Sequence, residues 1–191
     1  MWCFSENDFD NPYYKVAKEK PSPLSQVFDK KYFLDLTEMK DAQNLSLKGF
    51  LATKQRIPGL GNGVLQDILW KAKLHPRRKV NSLNEEEKDA LFSSIKKTLT
   101  IMTERGGRDT EKDLLGNKGG YETVMNNAKS GTPCAVCGYE IVKENYLGGK
   151  IYFVLTVRNS DYPIPKCLRT TPFTSVIFLG TRPLFIITMP C

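Results

Sequence analysis

Near the middle of the chain runs Ile57-Pro58-Gly59-Leu60-Gly61-Asn62-Gly63, a stretch that no helix interior and no paired strand would tolerate. The next dozen residues are the opposite in character. Val64, Leu65, Ile68, Leu69 and Ala72 share one face at helical spacing, and the pattern stops at Leu74-His75-Pro76. A glycine-rich turn that opens directly into a helix leaves backbone N–H groups unpaired beside the positive end of the helix dipole. That is an anion site, and Asn62 adds a side-chain donor where a phosphate would sit. Gly59, Gly61 and Gly63 allow positive φ and close backbone approach. Alone, the same turn reads equally well as a plain connection between two helices, so its neighbours have to decide.

The neighbours are basic. The 191 residues carry a formal net charge of +7. Residues 48–80 hold Lys48, Lys54, Arg56, Lys71, Lys73, Arg77, Arg78 and Lys79 against Asp67 alone, whereas residues 1–47 are slightly acidic. Such a block around a phosphate-type turn is the footprint of a nucleic-acid backbone binder. Lys48, Lys54 and Arg56 join Gly59, Gly61, Asn62 and Gly63 as the candidate DNA-binding residues. The tail after residue 153 is also basic, with Arg158, Lys166, Arg169 and Arg182 against Asp161. The hydrophobic fraction of 40% and charged fraction of 26% are those of an ordinary globular chain and exclude collagen-like or wholly disordered readings. The start lacks the apolar core of a secretory signal, and no apolar run is long enough for a membrane helix. Five cysteines, only two of them close together, make no disulfide framework, so a cytoplasmic protein is expected.

Along the chain, Trp2, Phe4, Tyr13, Tyr14 and Val16 read as strand residues before a Pro-bracketed linker, Lys20-Pro21-Ser22-Pro23. Phe28, Tyr32, Phe33 and Leu36 predict one short helix, and Leu45, Leu47, Phe50 and Leu51 a second. Ser82 with Glu85 fits a capping box for a long helix carrying Leu91, Ile95, Leu99 and Met102 and ending at Arg105-Gly106-Gly107. Residues 108–132 read as irregular. Cys134 to Phe153 reads as a β-hairpin around a Leu147-Gly148-Gly149 turn. His75, the one histidine, is expected to end a helix and to do no chemistry. An RNA-binding module would need stacking platforms, and Phe28, Tyr32, Phe33, Phe50 and Trp70 sit at core-like positions instead.

The run Gln55-Arg56-Ile57-Pro58-Gly59-Leu60-Gly61-Asn62-Gly63-Val64-Leu65-Gln66-Asp67-Ile68-Leu69-Trp70-Lys71-Ala72-Lys73-Leu74-His75-Pro76 closely resembles the helix–two-turn–helix signature of the formamidopyrimidine-DNA glycosylase / endonuclease VIII family. The resemblance continues through Gly106-Gly107-Arg108-Asp109, Gly119-Gly120-Tyr121 and Pro133-Cys134-x-x-Cys137-Gly138, and covers about residues 1–153. It implies a mainly α fold: a helix–two-turn–helix domain over 23–130, a hairpin that is half of a zinc finger over 131–153, and over 1–22 a remnant strand and linker of an N-terminal β-sandwich. It also implies a base-excision-repair DNA glycosylase and AP lyase, with damaged double-stranded DNA as partner, zinc as cofactor, a monomeric state and a bacterial-type, nucleoid-associated location. Asn62 matches the asparagine that binds the phosphate flanking the lesion, and Lys48 matches by position a basic residue that helps hold the DNA.

Two departures emerge from the same resemblance. The family's finger has the form Cys-x2-Cys-x16-Cys-x2-Cys-Gln; Cys134 and Cys137 supply the first pair, but Val154 and Val157 stand at the second. Two thiolates do not complete a structural zinc site, so stable zinc binding is not expected. The spacing of Cys167 and Cys191 offers no substitute, and Cys134-Ala-Val-Cys137 lacks the surroundings of a redox pair. Dropping one nucleotide from codons for Cys-Pro-Asn-Cys-Gln yields Val-Leu-Thr-Val-Arg, the observed 154–158, so the tail from 154 is expected to be read in a shifted frame. The family's duplex-entering arginine corresponds to Gly149, with Lys150 beside it. The family nucleophile is an N-terminal proline followed by glutamate, and this chain begins Met1-Trp2-Cys3. No catalytic residue is therefore assigned, and the chain alone is expected to lack glycosylase and lyase activity. A non-catalytic DNA-binding remnant, or a gene fragment without function, is the alternative.

Overall fold

The computed structural model describes residues 12–154. The expected strand residues Trp2 and Phe4, and the tail beyond Val154 with the position of Val157, lie outside them, so the expected frame shift does too. No helix of the described residues is long and apolar enough to cross a membrane.

The first described element corrects the expectation of a strand. Tyr13, Tyr14 and Val16 lie in a helix, α1 (Pro12–Glu19). Pro12 holds the first helical position, where its fixed φ suits the helix and its missing N–H has no intrahelical role. Helix α2 (Lys30–Glu38) is capped by Asp29, whose Oδ1 accepts from the Tyr32 N–H at 2.8 Å. The predicted second helix is α4 (Leu47–Ala52), which leaves out Leu45 because the Ser46 hydroxyl accepts from the Gly49 N–H and starts the helix there; a short helix that was not expected, α3 (Lys40–Gln43), precedes it.

Helix α5 (Asn62–Lys71) ends three residues before the expected Leu74. Lys73 turns left-handed at φ 56°, its N–H donating to the Trp70 carbonyl and that of Leu74 to the Leu69 carbonyl. These are the two bonds of a Schellman ending, with lysine where glycine is usual. After a 3₁₀ turn (Val80–Ser82) comes α6 (Glu85–Glu104). Its capping box is Asn84 with Glu87, not Ser82 with Glu85. The Asn84 Oδ1 accepts from the Glu87 N–H at 2.8 Å, and the Glu87 carboxylate accepts from the Asn84 N–H at 3.0 Å. Three consecutive glutamates left the register open, and Arg78, which grips both Glu87 oxygens, selects this one. Ser82 instead donates to the Lys79 carbonyl within the 3₁₀ turn.

Phe28, Phe33, Phe50 and Phe92 meet with ring centroids 5.7–6.4 Å apart, joining α2, α4 and α6. Leu65, Ile68 and Leu69 of α5 and Leu91 and Ile95 of α6 complete the same core. The segment after α6 has little regular structure, as expected, yet it is anchored. Asp67, fully buried in α5, accepts from the Tyr121 hydroxyl at 2.9 Å and from the Val124 and Met125 N–H groups at 3.1 and 2.7 Å. Strands β1 (Ile141–Tyr146) and β2 (Gly149–Val154) then pair antiparallel, with Ile141 opposite Val154 and Tyr146 opposite Gly149. The turn is Leu147-Gly148, both left-handed, which is the two-residue hairpin type whose twist matches the strands. Gly149, expected in the turn, belongs to the strand.

Candidate nucleic-acid interface

The glycine turn leads into α5 as the sequence implies. Gly59 sits at φ 76°, where a side chain would be strained, and Gly61 caps α5 with no side chain satisfying the first turn. Gly63 lies against the end of a long side chain. A Cβ there would lie 2.2 Å from Nη1 of Arg108, whose guanidinium covers the first turn of α5 and pairs with Glu111. Sequence reasoning gave Arg108 no role of its own.

The hairpin turn comes up against this helix start. Lys48, only 3% exposed, donates from Nζ to the carbonyls of Tyr146 and of Gly149, the latter at 3.0 Å. Burial lowers its pKa from the ordinary lysine value. Exposed Asn62 donates from Nδ2 to the Lys150 carbonyl at 3.1 Å. Between them lies a cleft of about 320 Å³ lined by Lys48, Ala52, Thr53, Asn62, the turn residues Leu147 and Gly148, and Gly149 at the start of β2. Two side chains 14 positions apart in the sequence thus share one cleft with the hairpin turn.

The other predicted cations separate. Lys54, at φ 56°, keeps an exposed side chain 3.4 Å from Asp41. Arg56 is buried, its guanidinium 2.7 Å from the Asp41 carboxylate and bonded to Thr53. These two cations, Arg56 first, hold the Asp41 carboxyl below its ordinary pKa. Arg56 therefore shapes the turn rather than facing the cleft. Gln66 is the residue sequence reasoning passed over. It donates to the Lys150 carbonyl at 3.0 Å and accepts from the Tyr152 N–H at 3.1 Å. Its place one helical turn after Asn62 was the available signal.

The metal candidates sit at the hairpin root. Cys134 is buried and Cys137 half-buried, and neither is in a disulfide. Burial raises the Cys134 pKa, but the N–H groups of Val136 and Cys137 and the side chains of Cys137 and Trp70 outweigh it and hold the thiol below its ordinary value. Val154, at the position of the family's third cysteine, packs in one apolar cluster with Cys134.

A profile of the formamidopyrimidine-DNA glycosylase H2TH domain matches residues 20–113, which span the glycine turn, α5 and α6. The chain belongs to the formamidopyrimidine-DNA glycosylase family. The formamidopyrimidine-DNA glycosylase of Streptococcus agalactiae is 32% identical over 134 residues, covering 69% of this chain and 48% of that protein. That of Protochlamydia amoebophila is 38% identical over 130 residues, covering 64% and 46%. Among solved structures, the Thermus thermophilus MutM (Fpg) protein superposes with a TM-score of 0.69 at 26% identity, over 80% of this chain and 57% of its own. Lactococcus lactis Fpg in complex with abasic-site DNA gives 0.64 at 28%, over 78% and 54%. The chain spans about half the length of the curated relatives it matches. The mainly helical fold with one antiparallel hairpin is that of these glycosylases.

Proposed function

We propose that these residues form the DNA-binding portion of a base-excision-repair glycosylase and AP lyase that acts on damaged bases in double-stranded DNA. The observation that carries this reading is the cleft in which Lys48, Asn62 and the uncapped start of α5 meet the hairpin turn. A buried ammonium, a side-chain amide and the positive end of a helix all favour an anion at one spot. Exposed Lys54, on the loop leading into the turn, would add a second phosphate contact. Such contacts fix register on the duplex without reading sequence. Removing a base requires its nucleotide to leave the stack, a step proposed for the whole protein. The protein is read as a monomer working at the nucleoid of a bacterial-type cytoplasm, with the family's zinc not stably held by this chain.

Fluorescence anisotropy with a labelled duplex containing an abasic-site analogue tests the reading. Asn62→Ala should weaken binding by about tenfold, the loss of one hydrogen bond to a charged group. Lys54→Ala should reduce the slope of log affinity against log salt by about one. Binding that ignores both substitutions and salt would overturn the assignment and favour a fragment without function.

A further inference from the structure

The family's zinc does not fit the residues that surround its position. A tetrahedral thiolate site needs four ligands, and the described chain offers two thiols, Cys134 and Cys137. On β2 the next position carries Val154, 2% exposed and packed with Cys134, Met125, Ile141 and Trp70. Among the described residues, no three His, Cys, Asp or Glu side chains are grouped so as to hold a metal ion. An apolar cluster occupies the place of a ligand cage.

The hairpin is nevertheless tied firmly to the helical core, by groups unrelated to metal. Lys48 holds the turn through two carbonyls. Arg77 reaches Glu144 at 2.7 Å and lies over the Tyr146 ring, and His75 meets the Phe153 ring edge-on at 4.4 Å. Most specific is Gln66. A residue in a parallel strand donates to the carbonyl of one neighbour and accepts from the N–H two positions on. The Gln66 carboxamide does this to Lys150 and Tyr152, so α5 presents one side chain to the edge of β2 as though it were a paired strand.

We propose that the hairpin is held by α5 and its own apolar root without a metal ion, and that Gln66 is the positioning residue that sets its register against the cleft. The two bonds from Gln66 define which residue of β2 faces Asn62, and they place the exposed Lys150 at the cleft rim. The inference does not rest on the DNA-binding reading, because its test uses no DNA.

The test is hydrogen exchange on the full 191-residue chain, before and after incubation with EDTA, together with metal analysis of the purified protein. The expected results are no stoichiometric zinc and hairpin amide protection over 141–154 that EDTA leaves unchanged. Gln66→Ala should speed exchange at those amides by about tenfold or more while α6 keeps its protection. Gln66→Glu, which keeps the acceptor for Tyr152 but loses the donor to Lys150, should fall between. Cys137→Ser should leave the hairpin protected. One zinc per chain, removed by EDTA together with hairpin protection, would overturn the proposal. So would Gln66→Ala exchanging at the parent rate. If Gln66→Ala also exposes α6, the Gln66→Glu variant and the EDTA comparison on the parent chain decide.

Discussion

Lys48 and Arg56 lie eight residues apart, carry the same charge and end in opposite surroundings. Arg56 meets a carboxylate, that of Asp41, whereas Lys48 meets two carbonyl oxygens and the face of the Tyr146 ring. Carbonyls accept hydrogen bonds without cancelling charge, so the Lys48 ammonium remains able to meet an anion in its cleft. Asp67 shows the converse arrangement, an anion satisfied by three neutral donors. Buried acceptors matched in this way are costly to disturb, because the partners are left unpaired. Asp67→Ala should destabilise the chain by about 3 kcal/mol or more, and Tyr121→Phe by about 1 kcal/mol, read from urea unfolding midpoints. The Tyr121 hydroxyl itself is pushed well above the ordinary tyrosine pKa, by burial first and then by Asp67, so it stays a donor throughout the working range.

At the scale of elements, three turns place non-glycine residues in a left-handed conformation, and two of these, after α5 and in the hairpin, are of types where glycine or asparagine is usual. Lys73 ends α5 at φ 56° and Leu147 opens the hairpin turn at φ 46°. Lys73→Gly should stabilise the chain by about 1 kcal/mol, and Leu147→Asn, which creates the Asn-Gly pair favoured in such turns, by a similar amount. Thermal melts of the single and double variants would show additive gains. The irregular segment after α6 should give the chain part of its acid sensitivity. Burial raises the Asp109 pKa, but the Thr123 hydroxyl and N–H outweigh this and hold it below the ordinary 3.8. A carboxylate with a lowered folded pKa adds stability above its unfolded value, and that stability is lost as pH falls through the folded value. Asp109→Asn should therefore flatten the loss of stability with acid below about pH 4. Elements with strong local signals were legible in advance: the glycine turn, the apolar faces of α5 and α6, and the hairpin. Helix α1 was not, because aromatic and β-branched residues suggested a strand while a proline set the backbone. The Asn84 cap was not, because only the distant Arg78 distinguishes among three glutamates.

For the whole molecule, charge in sequence and charge in space diverge. The block over 48–80 holds eight cations, yet Arg56, Arg77 and Arg78 each meet an acid from outside it, in Asp41, Glu144 and Glu87. Its one acid, Asp67, is fully buried and adds no negative charge to the surface. The basic block thus has a second part in the structure: it supplies fastenings of the fold as well as the Lys48 that lines the cleft. The cleft escaped full prediction because Leu147, Gly148 and Gly149 of its lining come from a hairpin about a hundred residues beyond Lys48, and spacing along a chain carries no sign of such a meeting.

Asp67 sits one turn beyond Gly63, in the middle of the helix whose start faces the cleft. Its oxygens fix Tyr121, Val124 and Met125, leaving only residues 126–140 between that anchor and the hairpin. Helix α5 therefore acts as a gauge bar. It faces the cleft at one end, grips the approach to the hairpin at its middle, and touches β2 through Gln66. Gln66 and Asp67 are adjacent in the sequence, so the edge of the hairpin and the approach to it both take their positions from one helical step.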